Sequence, residues 1–89
     1  MPSHRHLAPT HQQTLQQIFQ HDGTPPLEWT ELIHLVEEVG HVDEKGDGSY
    51  RLVVNGEGHV LRRPHHDKVT DPDDLHAIRA LFERARITP

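Results

Sequence analysis

The side chains of this chain best equipped to handle a phosphate and a proton gather in one stretch, Gly48 to Thr70, GSYRLVVNGEGHVLRRPHHDKVT. An imidazole is the side chain that most readily gives and takes a proton near neutral pH. His65 follows Pro64 directly and has Arg62, Arg63, His66 and Lys68 as close sequence neighbours, which makes it the candidate acid or base. Arg63 suits a bidentate grip on a phosphate, and Lys68 supplies a point charge. Arg51, Arg62 and His66 extend the set of candidate phosphate contacts, and Tyr50 carries a hydroxyl able to donate a hydrogen bond. Two other readings stand beside this one. His65 and His66 also suit an exposed polar loop between a strand and a helix, and Tyr50 also suits a core or interface. A transition-metal site built from His65, His66 and Asp67 is a further alternative. Adjacent side chains rarely converge on one ion, however, and no i, i+4 histidine pair offers further ligands. No metal ligand is therefore assigned, and no cofactor is expected.

Charge is unevenly spread. The stretch holds four cationic side chains, Arg51, Arg62, Arg63 and Lys68, against Glu57 and Asp67, a balance of +2, whereas the whole chain carries −5. Residues 21–49 hold eight acids and one lysine, −7. That acidic half reads as a solvated helical face, or as the acidic side of a fold whose basic side is local and weak. Ten histidines are many for 89 residues, so the positive patch grows as pH falls.

The elements that must position these groups follow from periodicity. Tyr50, Leu52 and Val54 alternate with Ser49, Arg51, Val53 and Asn55, the period of a half-buried strand that turns Arg51 away from Tyr50. Asn55-Gly56-Glu57-Gly58 supplies residues that tolerate positive φ for a hairpin. His59 to Arg63 returns as a strand, and Pro64 stops it. Upstream, His41 to Glu44 is a short strand and Lys45 to Gly48 a turn.

Three helices complete the pattern. Thr10 to Gln20, with Thr10 as N-cap, presents Leu15, Ile18 and Phe19 on one side, and His21 to Pro26 ends it. Leu27 to Val39 buries Leu32, Leu35, Val36 and Val39, and Gly40 suits its C′ position. Trp29 is either packed against the core or a platform for base stacking. Asp71-Pro72-Asp73-Asp74 places an acceptor at N-cap, proline at N1 and acids in the first turn of a last helix. Its apolar face is Leu75, Ile78, Leu81, Phe82 and Ala85. The order is α-α-β-β-β-α: an α+β fold with a three-stranded antiparallel sheet and helices on one face.

Composition bounds the rest. With 89 residues the expectation is a disordered tail over 1–9, including His4 and His6, and a single domain over 10–89. The absence of cysteine excludes disulfides and thiol chemistry. No apolar run suits a signal peptide or a membrane span, so a cytoplasmic location without membrane partners is expected. No phosphate-binding glycine loop of the P-loop or dinucleotide-binding kind is present.

Several short motifs occur in a telling order: Thr14-Leu15 with Ile18-Phe19; Leu27-x-Trp29-x-Glu31-Leu32 with Leu35 and Gly40; Gly48-Ser49; Arg63-Pro64-His65; and Ile87-x-Pro89. In order and spacing the chain resembles the HicA family of toxins from bacterial toxin–antitoxin pairs, in the longer subgroup with an extra N-terminal helix. The resemblance covers almost everything from Thr14 onward. It implies a double-stranded-RNA-binding-domain-like fold, metal-independent endoribonuclease cleavage of mRNA, and neutralisation by a HicB-like antitoxin. Where the family places a histidine directly after the Gly-Ser pair or one residue later, this chain has Tyr50 and Arg51. A phenol and a guanidinium are poor proton acceptors at pH 7, which leaves His65 to take the catalytic role. Arg86 stands where the subgroup has glycine. A HicA-fold protein that binds RNA or a HicB-like protein without cleaving is the alternative. A protein–protein module using the acidic second helix or a strand edge is a third.

Overall fold

The computed structural model describes residues 8–20 and 26–89. His4, His6, almost all of the expected tail and most of the expected helix terminator at His21 to Pro26 lie outside the described residues. Helix α1 spans Pro9–Ile18, β1 Leu27–Glu28, α2 Trp29–Val39, β2 Gly40–Glu44, β3 Ser49–Val54, β4 Glu57–Arg62, β5 Lys68–Val69 and α3 Pro72–Arg84.

Helix α3 forms as its first turn dictates. Asp71 is the N-cap, its carboxylate accepting from the Asp73 N–H at 2.8 Å, and Pro72 opens the helix. Burial raises the Asp74 carboxyl above its ordinary range; the nearby Asp71 and Asp73 charges add to the rise and His59 opposes it. The end of α3 is a paired cap. The Ile87 N–H donates to Phe82 O and the Arg86 N–H to Glu83 O, both at 3.0 Å, with Arg86 at φ 62°.

Helix α1 begins one residue earlier than its sequence suggests, at Pro9 behind an Ala8 N-cap, so Thr10 is not the cap. Thr10 instead accepts, through its carbonyl, from the Thr14 hydroxyl at 3.1 Å. The C-terminal end of α1 is tied to α3, where Arg79 donates to the carbonyls of Ile18 at 3.1 Å and Gln20 at 3.0 Å. These bonds satisfy acceptors that a helix end leaves open.

Strands β2, β3 and β4 form an antiparallel sheet in the order β2-β3-β4. Val42 lies opposite Leu52, Arg51 opposite Val60, and Tyr50 opposite Leu61. Residues facing each other across antiparallel strands share a face. Leu52, Val54 and Leu61 are therefore on the inner face, buried in one core with Leu32, Leu35 and Val36 of α2 and Ile78, Leu81 and Phe82 of α3. Arg51, Val60 and Arg62 are on the outer face and exposed, Val60 at 49%. Asn55 at φ 49° and Gly56 at φ 81° make the two-residue hairpin turn. The Asn55 side-chain amide donates to Ala85 O at 2.8 Å, pinning the tip to the end of α3.

Three local expectations differ. Helix α2 starts at Trp29, because Leu27 and Glu28 pair in antiparallel register with Val69 and Lys68. The stretch after Pro64 is therefore not loop throughout. Gly40 is not a left-handed C′ residue. It sits at φ −166° as the first residue of β2, and a Cβ there would lie 1.9 Å from the Val53 carbonyl oxygen. Glycine is required for close approach of two strands, not for turn geometry.

Candidate functional site

The segment from Arg63 to Val69 leaves β4, makes a tight turn and returns against the start of α2. The turn is closed by the Asp67 N–H donating to Pro64 O at 3.2 Å, with Asp67 at φ 57°. Its far side is anchored where the Trp29 N–H donates to Asp67 O at 2.9 Å. The Trp29 N–H belongs to the first turn of α2 and has no acceptor within its own helix, so the loop carbonyl satisfies it. Pairing of β5 with β1 extends the anchor.

His65 and His66 stand exposed at the tip, ring centroids 5.8 Å apart and planes tilted by 54°. Beneath them, the Arg63 guanidinium meets the Asp67 carboxylate in a two-pronged pair, Nε to Oδ1 at 2.8 Å and Nη2 to Oδ2 at 3.0 Å. Asp67, and after it the Tyr50 hydroxyl, hold the guanidinium well above its ordinary range; Arg63 in turn draws the Asp67 carboxyl below the usual carboxylate range. Lys68 pairs with Glu28 across the β1–β5 ladder.

Tyr50 is half-buried, its ring edge-on to Trp29 at a centroid distance of 5.3 Å and 69°. Trp29 is 2% exposed, so the core alternative holds and Trp29 is not a base-stacking platform. Tyr50 is a wall of the site, held by its contact with Trp29.

The candidate residues thus separate into two groups. Tyr50, Arg63, His65, His66 and Lys68 cluster where the turn meets β3 and the start of α2. Arg51 and Arg62 lie on the outer face of the sheet and are not brought beside them. Arg62 Nη1 donates to Asp47 O at 3.1 Å. Arg51 lies over Gly58, where a Cβ would come within 3.1 Å of its Nε and Nη2, and it makes no ion pair among the described residues. The Gly48-Ser49 pair is also a turn device. Asp47 accepts from the Ser49 hydroxyl at 2.6 Å and the Ser49 N–H at 3.1 Å, and these bonds lower the Asp47 carboxyl below its ordinary range.

No group of three or more His, Asp or Glu side chains able to hold a metal occurs among the described residues. In the alternative formed by His65, His66 and Asp67, the Asp67 carboxylate is already taken by Arg63. No helix among the described residues is long and apolar enough to cross a membrane.

Sequence reasoning missed the two acids that face the cations. The i, i+4 spacing of Arg63 and Asp67 carries a signal for their pair, whereas Glu28 reaches Lys68 only through a two-residue ladder. No family model, curated protein or solved structure matches the chain.

Proposed function

We propose that this chain is a HicA-like protein acting on RNA through the Arg63–Lys68 segment, as a metal-independent endoribonuclease in which His65 handles the proton. The α2-to-α3 portion, with a helix, three antiparallel strands and a closing helix, supports a double-stranded-RNA-binding-domain-like reading of the fold. One observation carries the proposal. The turn bearing two exposed imidazoles is fixed by backbone bonds, the Asp67 N–H to Pro64 O and the Trp29 N–H to Asp67 O, so the histidines project from a supported position beside an arginine.

In such a cleavage a base takes the proton of the ribose 2′-OH, the 2′ oxygen bonds to phosphorus, the bond from phosphorus to the 5′ oxygen breaks, and an acid returns a proton to that oxygen. His65 fills one proton-transfer role. His66, with its ring 5.8 Å away, stands near enough to serve the other side of the same phosphate. Arg63 stabilises the charge that builds on the non-bridging oxygens. A HicB-like partner covering this segment would silence it.

A second reading, binding of RNA or of a HicB-like protein without cleavage, is favoured by a specific observation. Tyr50 stands where the family carries its strand histidine and is packed against Trp29. Incubation of RNA with folded protein in EDTA, wild type beside His65→Ala, separates the two. Cleavage by wild type alone supports the ribonuclease. Salt-sensitive binding by both proteins with no products supports the binder. Equal cleavage by both removes His65 from the mechanism.

A further inference from the structure

We infer that Asp67 is an internal stand-in for a phosphate: it fills the Arg63 fork, and a phosphate group enters only by displacing it. The inference rests on the RNA-acting reading for its biological ligand, but not for its chemistry. The Asp67 carboxylate presents two oxygens to Nε and Nη2 of Arg63 at 2.8 and 3.0 Å, the same two-pronged geometry an arginine uses for a phosphate. The fork is held ready. The turn behind it is bonded to Pro64 O and to the Trp29 N–H.

The acid reaches this place at a cost in backbone conformation, because Asp67 is a non-glycine residue at φ 57°. That same left-handed backbone turns the side chain back toward Arg63. Arg63 is the one side chain hydrogen-bonded to the carboxylate among the described residues, the Lys68 charge acts on it without a bond, and the Arg63–Asp67 pair is about half exposed, at 45% and 46%. A solvent-accessible ion pair is weak enough to exchange with an anionic ligand of like shape. Lys68, held by Glu28, is screened in the same manner. The site therefore discriminates by charge. A phosphate, with two oxygens spaced to meet Nε and Nη2 together, competes for the fork, and a neutral group does not.

The test is the titration of the full chain with inorganic phosphate, read at the Arg63 Nε–H by proton–nitrogen correlation spectra. Wild type is compared with Asp67→Asn and Asp67→Gly, both of which accept the left-handed backbone. Removing the competing charge tightens phosphate binding by about twofold to fivefold, the span set by exposed bidentate pairs. The gain disappears when Arg63→Lys is added, because lysine has no fork. Binding no tighter in either Asp67 variant, or a gain that survives Arg63→Lys, overturns the inference. A parallel salt titration with single-stranded RNA expects a slope steeper by about 0.7 in Asp67→Asn, one further phosphate neutralised. If the phosphate contrast is present and neither protein binds RNA at low salt, the masking stands and the RNA reading falls.

Discussion

Arg86→Gly is predicted to stabilise the fold. Arg86 is the C′ residue of α3 and holds φ 62°, while the paired cap needs only its N–H, which donates to Glu83 O at 3.0 Å. A side chain with a Cβ in this left-handed region costs about 1–2 kcal/mol, which glycine avoids. Two terms oppose the gain. Glycine gives the unfolded chain more freedom, about 0.5 kcal/mol. A cation near a helix C-terminus is also lost, about 0.3 kcal/mol for an exposed one. The net expectation is about 0.7 kcal/mol in favour of glycine, or a rise in Tm of about 3–6 °C for a chain of this size. Chemical denaturation with an unchanged slope, paired with a thermal melt, measures it. Asn55→Gly is the control. Asn55 also has positive φ, at 49°, but its side chain donates to Ala85 O at 2.8 Å, so glycine there removes a bond and the protein loses stability. An unchanged or lowered midpoint for Arg86→Gly, with the Asn55 control behaving as expected, refutes the claim that backbone strain at C′ outweighs the charge.

Two further outcomes follow from the same geometry. Gly40→Ala places a Cβ 1.9 Å from the Val53 carbonyl oxygen, and backbone on both sides resists movement, so a loss of about 3 kcal/mol in denaturation is expected, against a few tenths for Gly46→Ala, where nothing lies within 4 Å. Asp47 has a folded pKa below its unfolded value, so its contribution is present above the unfolded pKa and fades as pH falls through the folded one. Wild type should lose stability more steeply than Asp47→Asn as pH is lowered from about 4, and parallel curves for the two proteins would dismiss the Asp47–Ser49 bonds as a source of acid sensitivity.

What the sequence made legible was what repeats or what is punctuated. The inner stripe of Leu52 and Val54 against Arg51 on the other face follows from a period of two, and the start of α3 from Asp71-Pro72. Two-residue strands have no period to detect, so the β1–β5 ladder was hidden inside a helix start and a loop. Gly40 was misread for a related reason. A glycine at the end of a helical pattern usually marks a left-handed cap, but here the helix runs straight into a strand, and the constraint comes from Val53, distant in sequence. The left-handed backbone at Arg86 is the converse: arginine itself gives no hint of it, the glycine expected there from the HicA resemblance does, and the bonds to the carbonyls of Phe82 and Glu83 show why.

The charge of the site shows most plainly why a count of residues differs from a potential. In sequence, Arg51, Arg62, Arg63 and Lys68 leave the segment positive. Folding sends Arg51 and Arg62 to the outer face and sets Asp67 against Arg63 and Glu28 against Lys68. The imidazoles of His65 and His66 are then left beside cations that are already matched, and the positive potential at this turn is smaller than the cation count implies. On the outer face Arg51 lies across Gly58 without an ion pair among the described residues, with Asp43 of β2 opposite it in the ladder. On the proposed RNA-acting reading, Arg51 on the sheet would steer an RNA from a distance, and Arg63 would engage it only when one of its phosphates replaces the Asp67 carboxylate, so encounter and engagement would fall on different faces and respond to different substitutions. Arg51→Ala should slow association at low salt and leave dissociation nearly unchanged, as expected of a charge that steers without joining the final contact. A variant that instead speeds dissociation would place Arg51 within the bound interface and unite the two groups.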